Sequence, residues 1–235
     1  MSENKKVIIL GTAHLGTTPG KCAPDKSIRE AVYSRERIEA IETILKAYGY
    51  TVYVDHRSLE PHRLMKAGTA KAQQSRELNF RVDFVNSLCR GYGPQNCIYV
   101  SLHLDAAGDA GKWMNAGGWS CFTSPGQTQA DILAECFYDA AEVNLADYKI
   151  AMARGKRNGD YGKNQNPIRT DLTDGDRDKE ASYYVLTKTA CPAVLTENLF
   201  QDNRADVAFL LSDAGKHAIE RLHVEAIIAY FDRLK

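Results

Sequence analysis

The chain predicts an α/β fold: a single domain with a mostly parallel twisted sheet and helices on both faces. Three observations carry this expectation. Short apolar runs alternate with longer segments of helical period, Gly- and Pro-rich turns separate them, and 235 residues suit one ordinary domain with a sizeable core. The whole of 1–235 therefore reads as one unit.

The elements follow in order. Residues 6–10 form an apolar strand closed by Gly11, and a Gly/Pro-rich loop runs through Pro24. Residues 27–48 have helical spacing, with a core stripe of Ile38, Ile41, Leu45 and Tyr48, and Gly49 ends them. A strand is predicted over 50–55 and a helix over 74–88, before the turn at Gly91-Tyr92-Gly93-Pro94. Residues 97–102 and 119–123 read as strands, 130–145 as a helix, 193–196 as a strand. Residues 214–234 read as a closing helix with the stripe Ile219, Leu222, Ala226, Tyr230 and Leu234. Two polar stretches, 106–118 and 153–180, fit neither period; connections of that length are often binding loops, so they are expected to wall a cleft.

Composition narrows the partners. Lys+Arg and Asp+Glu both total 30, so the formal net charge is zero, and no broad basic field is available for nucleic acid or an anionic membrane surface. No stretch approaches the roughly 20 apolar residues of a membrane span. The start, Met1 to Lys6, leads straight into an apolar run without the features of a signal peptide, so synthesis in the cytoplasm is expected. Six cysteines (Cys22, Cys89, Cys97, Cys121, Cys136 and Cys191) show no C-x-x-C pair and read as reduced, mostly buried thiols.

In open α/β sheets, ligands sit beyond the carboxyl ends of the strands. Three titratable residues follow predicted strands there: His14, His103 and Glu197. A lone histidine in such a place is commonly a hydrogen-bonded structural residue; three such endings at one sheet edge suggest chemistry. Glu30 is a fourth candidate. The sequence Ser27-Ile28-Arg29-Glu30 fits a capping box. Yet Glu30 lies 11 residues before Ile41, which at about 100° per residue turns it to within roughly 20° of the core stripe. A carboxylate pointing inward needs a partner, and two His with one Glu and an open fourth position form a common catalytic zinc set.

Other candidates have plainer readings. His217 and His223 are six residues apart on the last helix, about 600° of rotation, so they face different ways and are expected at the surface. Arg57 is expected in an ordinary salt bridge. Cys22, in the first loop, is the alternative nucleophile. The run Asp174-Gly175-Asp176-Arg177-Asp178 hints at calcium but lacks the EF-hand order and reads as a solvated loop.

Set together, these stretches resemble the zinc-dependent N-acetylmuramoyl-L-alanine amidases of bacterial autolysins and phage endolysins. That family has D-P-G-H-G-G after its first strand, a glutamate opening the first helix, T-R after the second strand, R-x-x-x-A-N, S-I-H-A-N-A and P-A-V-L-V-E-x-G-F-x-S-N. The matching stretches here are Gly11-Thr12-Ala13-His14-Leu15-Gly16, Glu30, His56-Arg57, Arg81-Val82-Asp83-Phe84-Val85-Asn86, Ser101-Leu102-His103-Leu104-Asp105-Ala106 and 192–203. Order and approximate spacing agree over nearly the whole chain. Three departures stand out: Gly11-Thr12-Ala13 replaces the Asp before the first His, Leu104-Asp105 the Asn after the second, and Asn198-Leu199 the Gly after the glutamate.

The resemblance implies zinc held by His14, Glu30 and His103, with Glu197 as the catalytic glutamate. It implies peptidoglycan as substrate, cut at the amide between N-acetylmuramic acid and L-alanine, by a monomer that reaches the wall after release or export. Two other functions fit the same residues less closely: a zinc amidohydrolase of small acyl amino acids, and a non-catalytic wall-binding module.

Overall fold

A computed structural model describes residues 5–108, 111–148 and 166–234. The strands are β1 (Val7–Thr12), β2 (Thr51–Val54), β3 (Cys97–Asp105), β4 (Trp119–Thr123), β5 (Lys179–Glu180) and β6 (Ala193–Phe200). The helices are α1 (Glu30–Ala47), α2 (Ala70–Tyr92), α3 (Gln129–Asn144), α4 (Tyr184–Lys188), α5 (Arg204–Leu211) and α6 (Asp213–Arg233). One six-stranded sheet has the order β2-β1-β3-β6-β4-β5, parallel except where β4 runs antiparallel to β6.

Both faces are covered, as a sheet with apolar residues on both sides requires. Ile8, Leu10, Ile98 and Val100 face the core shared with α1, α3 and α6; Val7, Ile9, Cys97 and Tyr99 alternate to the core shared with α2 and α4. Gly11 is needed by this packing, because a Cβ there would lie 2.3 Å from the Tyr99 hydroxyl oxygen. Among the described residues, no helix is long and apolar enough to cross a membrane.

The structure refines the predicted elements. The second helix starts at Ala70, earlier than predicted, where Thr69 accepts from the Ala72 amide as a cap. β3 and β6 run three and four residues past their predicted ends, because their parallel pairing continues to Asp105 and Phe200. The stripes are truncated at their ends: Tyr48, the residue after α1, and Leu234 are exposed, lying past the last turn that packs on the sheet. The capping box does not form. Arg29 is the N-cap residue, and Ser27 bonds instead to Asp25, leaving the Glu30 side chain free to turn inward.

His217 is exposed as expected, but His223 is not a surface residue; it is 1% exposed. α6 is buried on several sides, with Ile219, Leu222, Val224, Ala226 and Ile227 all in its core, so facing away from His217 does not mean facing water. The Nδ1–H of His223 donates to the Ile219 carbonyl (2.7 Å), and Nε2 accepts from the Thr196 hydroxyl (2.9 Å). Burial pushes the ring down to about 4.

The fold therefore takes His223 neutral. Below about 6.5 the unfolded chain binds a proton that the folded chain refuses, so this stabilisation is full above about 6.5 and falls away towards pH 4, by about 3 kcal/mol. Denaturant melts should show the wild type losing about 2–3 kcal/mol more than His223→Gln between pH 7.5 and 4.5. Equal losses would contradict a buried neutral ring.

Candidate active site at the ends of β1, β3 and β6

His14 leaves β1 two residues after its end with φ +42°, a conformation that non-glycine residues rarely adopt. Its carbonyl accepts from Arg35 (2.9 Å) and Arg81 (3.4 Å). Arg81 is itself buried, bonded to Asp55 at 2.7 Å and Glu77 at 2.9 Å. Burial opposes its charge, but these two carboxylates outweigh burial and keep it charged. Thr12 bonds to Asp55 as well, so the strand end, α2 and the chain after β2 lock together beneath His14.

Glu30 opens α1. Its amide donates to the Lys21 carbonyl (3.1 Å), so the loop before the helix is tied to its first residue. Cys22, half-buried, makes an antiparallel bridge with Arg29 in the same closure. The Glu30 side chain is 1% exposed and faces both histidines: Oε1 lies 3.4 Å from His14 Nε2 and 3.0 Å from His103 Nδ1. The Leu104 amide donates to Oε1 (3.2 Å) and Gln201 Nε2 to Oε2 (3.3 Å), while Lys21 Nζ stands 3.9 Å away. Burial alone would raise the Glu30 carboxyl; His103 and His14 overcome this and hold it well below the usual carboxylate range.

His103 lies within β3, and its Nε2 contacts Ser101 Oγ at 3.1 Å. A metal at Nδ1 would take that nitrogen's lone pair and leave Nε2–H to donate to Ser101; without one, Nδ1 lies at hydrogen-bond distance from Glu30 Oε1. Burial lowers the ring's proton affinity, with Glu30 opposing, so the neutral form that can ligate a metal is favoured.

One ligand atom from each of His14, Glu30 and His103 falls within 4.8 Å of the others, the only such group of three or more among the described residues. A tetrahedral ion with ligands about 2.0–2.1 Å away needs donor atoms roughly 3.3–3.4 Å apart. The two separations to Glu30, 3.0 and 3.4 Å, are close to that size, and the third pair, His14 and His103, lies within 4.8 Å. Two neutral imidazoles and a carboxylate are also the donor set that zinc takes.

Glu197 is the direct register partner of His103 across the β3–β6 ladder. Its Oε2 is buried without a hydrogen-bond partner among the described residues. Burial first, then Asp105 and Glu30, raise its proton affinity well above that of an ordinary glutamate; Lys21 and Arg169 oppose this. Asp105 is paired with Arg169, at 3.0 Å, across from the segment that follows residue 165.

Just beyond Glu197 the ladder is irregular. From His103 to Asp105 β3 advances two residues, while β6 advances three, from Glu197 to Phe200. The extra residue makes a bulge. Leu199 sits there at φ +67° and fully buried, at the position where the family pattern has glycine. Glycine adopts that conformation freely; leucine is held there by its apolar packing. Leu199→Gly should therefore be more stable than Leu199→Ala by about 1 kcal/mol, reversing the usual order of the two residues. A less stable glycine variant in denaturant melts would show that the bulge is not strained.

The predicted loops flank this edge. Asp202 accepts from the Ala107 and Gly108 amides, Asp206 from Gly118, and Asn203 donates to the Ala116 carbonyl, so the 106–118 segment is pinned to the chain after β6. Of these anchoring residues Asn203 closes the 192–203 stretch matched to the family pattern, while Asp202 and Asp206 carried no signal of their own in the sequence. Of the 153–180 loop, 153–165 lies outside the described residues, as do 109–110 of the first loop. Arg57 makes its expected salt bridge, to Glu42 at 2.6 Å.

Known proteins fit this geometry. A search of curated proteins finds no sequence match. Solved structures do match. The CwlD amidase of Clostridioides difficile, solved in complex with the GerS lipoprotein, has a TM-score of 0.71 at 18% identity, covering 97% of this chain and 100% of that one. AmiC2 of Nostoc punctiforme, an N-acetylmuramoyl-L-alanine amidase, gives 0.67 at 15%, covering 99% and 100%. The catalytic domain of CwlV from Bacillus (Paenibacillus) polymyxa var. colistinus gives 0.66 at 15%, covering 97% and 98%. At such identities these likenesses speak for the fold. The sequence profile of one family matches residues 8–229, nearly the full length. This chain belongs to the N-acetylmuramoyl-L-alanine amidase family.

Proposed function

We propose that the protein is a zinc-dependent peptidoglycan amidase, cutting the amide between N-acetylmuramic acid and L-alanine, with His14, Glu30 and His103 holding the metal. The observation that carries this reading is the convergence of those three side chains within 4.8 Å, beside a glutamate in register with His103. When bound, zinc would polarise the scissile carbonyl and acidify a water towards pKa about 7.

The chain's own residues supply the rest. Leu104 N–H and Gln201 hold the Glu30 carboxylate in place, and Ser101 fixes the tilt of His103. Glu197 takes the proton of the attacking water at its carboxylate and returns it to the leaving amine of L-alanine. Peptidoglycan lies outside the cytoplasmic membrane, so the reading requires release or export, and we propose that the protein acts there as a monomer.

Digestion of purified peptidoglycan tests this. The expected products carry new amino termini and no new reducing ends, with free L-alanine amines by mass spectrometry. Activity confined to small soluble acyl amino acids, or none on either substrate with zinc bound, would overturn it.

A further inference from the structure

The acidic run at 174–178 is not a fully solvated loop. Arg177 reaches α3, where it pairs with Glu135 at 2.6 Å, Asp139 at 2.5 Å and Glu142 at 2.9 Å. Its two neighbours in the run meet the connection between β4 and α3 instead. Asp178 is 2% exposed; its Oδ2 accepts from the Thr123 hydroxyl and its Oδ1 is buried with no partner among the described residues. Asp176 Oδ2 accepts from Gln127 Nε2 at 3.2 Å, and its Oδ1 is likewise buried and without a partner.

Asp176 and Asp131 both lie close enough to Asp178 for their charges to raise its proton affinity. Buried carboxylate oxygens without partners are costly, and like charges close by add to the cost. Only a positive species between them removes both penalties. A shared proton is one such species, and burial together with Asp176 does push Asp178 up to about 7. At neutral pH that leaves the pair only partly neutralised.

The oxygens that could face an ion here are those of the two carboxylates and the Thr123 hydroxyl; the Gln127 amide turns its nitrogen to Asp176, and the buried Cys121 thiol feels the charge of Asp178. Irregular oxygen sites of this kind suit calcium, whose coordination is flexible, better than magnesium, which demands a regular octahedron. We propose that Asp176 and Asp178 bind a calcium ion that clamps the 166–180 segment to the β4–α3 connection. The same segment carries Arg169, bonded to Asp105 beside Glu197, so the clamp would firm the chain next to the candidate site. This proposal does not depend on the zinc centre.

Calcium chloride titrated calorimetrically into zinc-loaded protein at pH 7.5 tests it. One saturable site per chain is expected, with a dissociation constant between about 10⁻⁷ and 10⁻³ M, together with a rise in Tm. Asp178→Asn and Asp176→Asn should each weaken binding at least about tenfold, since each removes an anionic ligand. Glu30→Gln should leave calcium binding unchanged. Asp176 is the less buried of the two, so its variant serves if Asp178→Asn fails to fold. No saturable binding up to about 10 mM calcium, well beyond the usual range, would overturn the proposal in favour of a shared proton. Unaltered affinity in both variants would overturn it as well.

Discussion

Glu197→Gln is expected to bind zinc as the wild type does, to fold, and to lose about 10²–10⁴ in turnover, the range that a positioned acid–base group contributes. The substitution keeps the shape and hydrogen-bonding capacity of the side chain but removes its ability to accept and return a proton. Because Glu197 lies across the ladder from His103 rather than among the three converging ligand atoms, the metal should stay. Replacing a buried carboxylate whose proton affinity is already raised by burial, Asp105 and Glu30 with a neutral amide also removes like-charge repulsion, so stability should hold or rise. Glu30→Gln should do the reverse. It weakens the metal, because an amide is a poorer zinc ligand than a carboxylate, and it disturbs the bonds from Leu104 and Gln201. If Glu197→Gln loses zinc while Glu30→Gln retains it, the two roles are assigned the wrong way round.

Removing the metal should have the largest effect. Chelation should abolish hydrolysis and added zinc restore it. His14→Ala and His103→Ala should each lose both zinc and activity, by ~10⁴-fold or more, corresponding to the several kcal/mol that a Lewis-acid ion supplies. His217→Ala, on the exposed side of α6, is the control and should match the wild type. His223 cannot serve as a second control. Its ring bonds to Thr196, the residue before Glu197, and its loss to alanine should cost about 2–4 kcal/mol in stability through a cavity and an unmade hydrogen bond. Measuring zinc content alongside rates separates this loss of fold from loss of ligand. Full activity after exhaustive removal of metal would end the zinc assignment.

The fold was legible in the sequence because period and punctuation carry it. Val7 to Leu10 is buried on both faces of the sheet and reads as an unbroken apolar run, while Ile38, Ile41 and Leu45 repeat at helical spacing. What escaped depends on contacts between distant segments. The length of β3 and β6 is set by their mutual pairing, the burial of His223 by the packing around α6, and the anchoring of the 106–118 segment by Asp202, Asn203 and Asp206.

The candidate ligands were legible for a related reason. His14 and His103 sit where a parallel sheet presents its carboxyl ends, and Glu30 betrays itself by lying on an apolar stripe. A local rule misled at the same residue: Ser27 and Glu30 have capping-box spacing, but Asp25 takes the serine and the two histidines take the glutamate. Leu199 is visible only by comparison with the family pattern, since nothing in its neighbours announces a positive φ.

Anomalous diffraction at the zinc edge, from crystals of the protein purified with zinc, would locate the metal itself. One peak per chain is expected about 2.0–2.2 Å from His14 Nε2, His103 Nδ1 and a carboxylate oxygen of Glu30, with Glu197 outside ligand distance. A peak bound by Glu197 in place of Glu30, or a metal lodged elsewhere with this triad left hydrogen-bonded to itself, would contradict it.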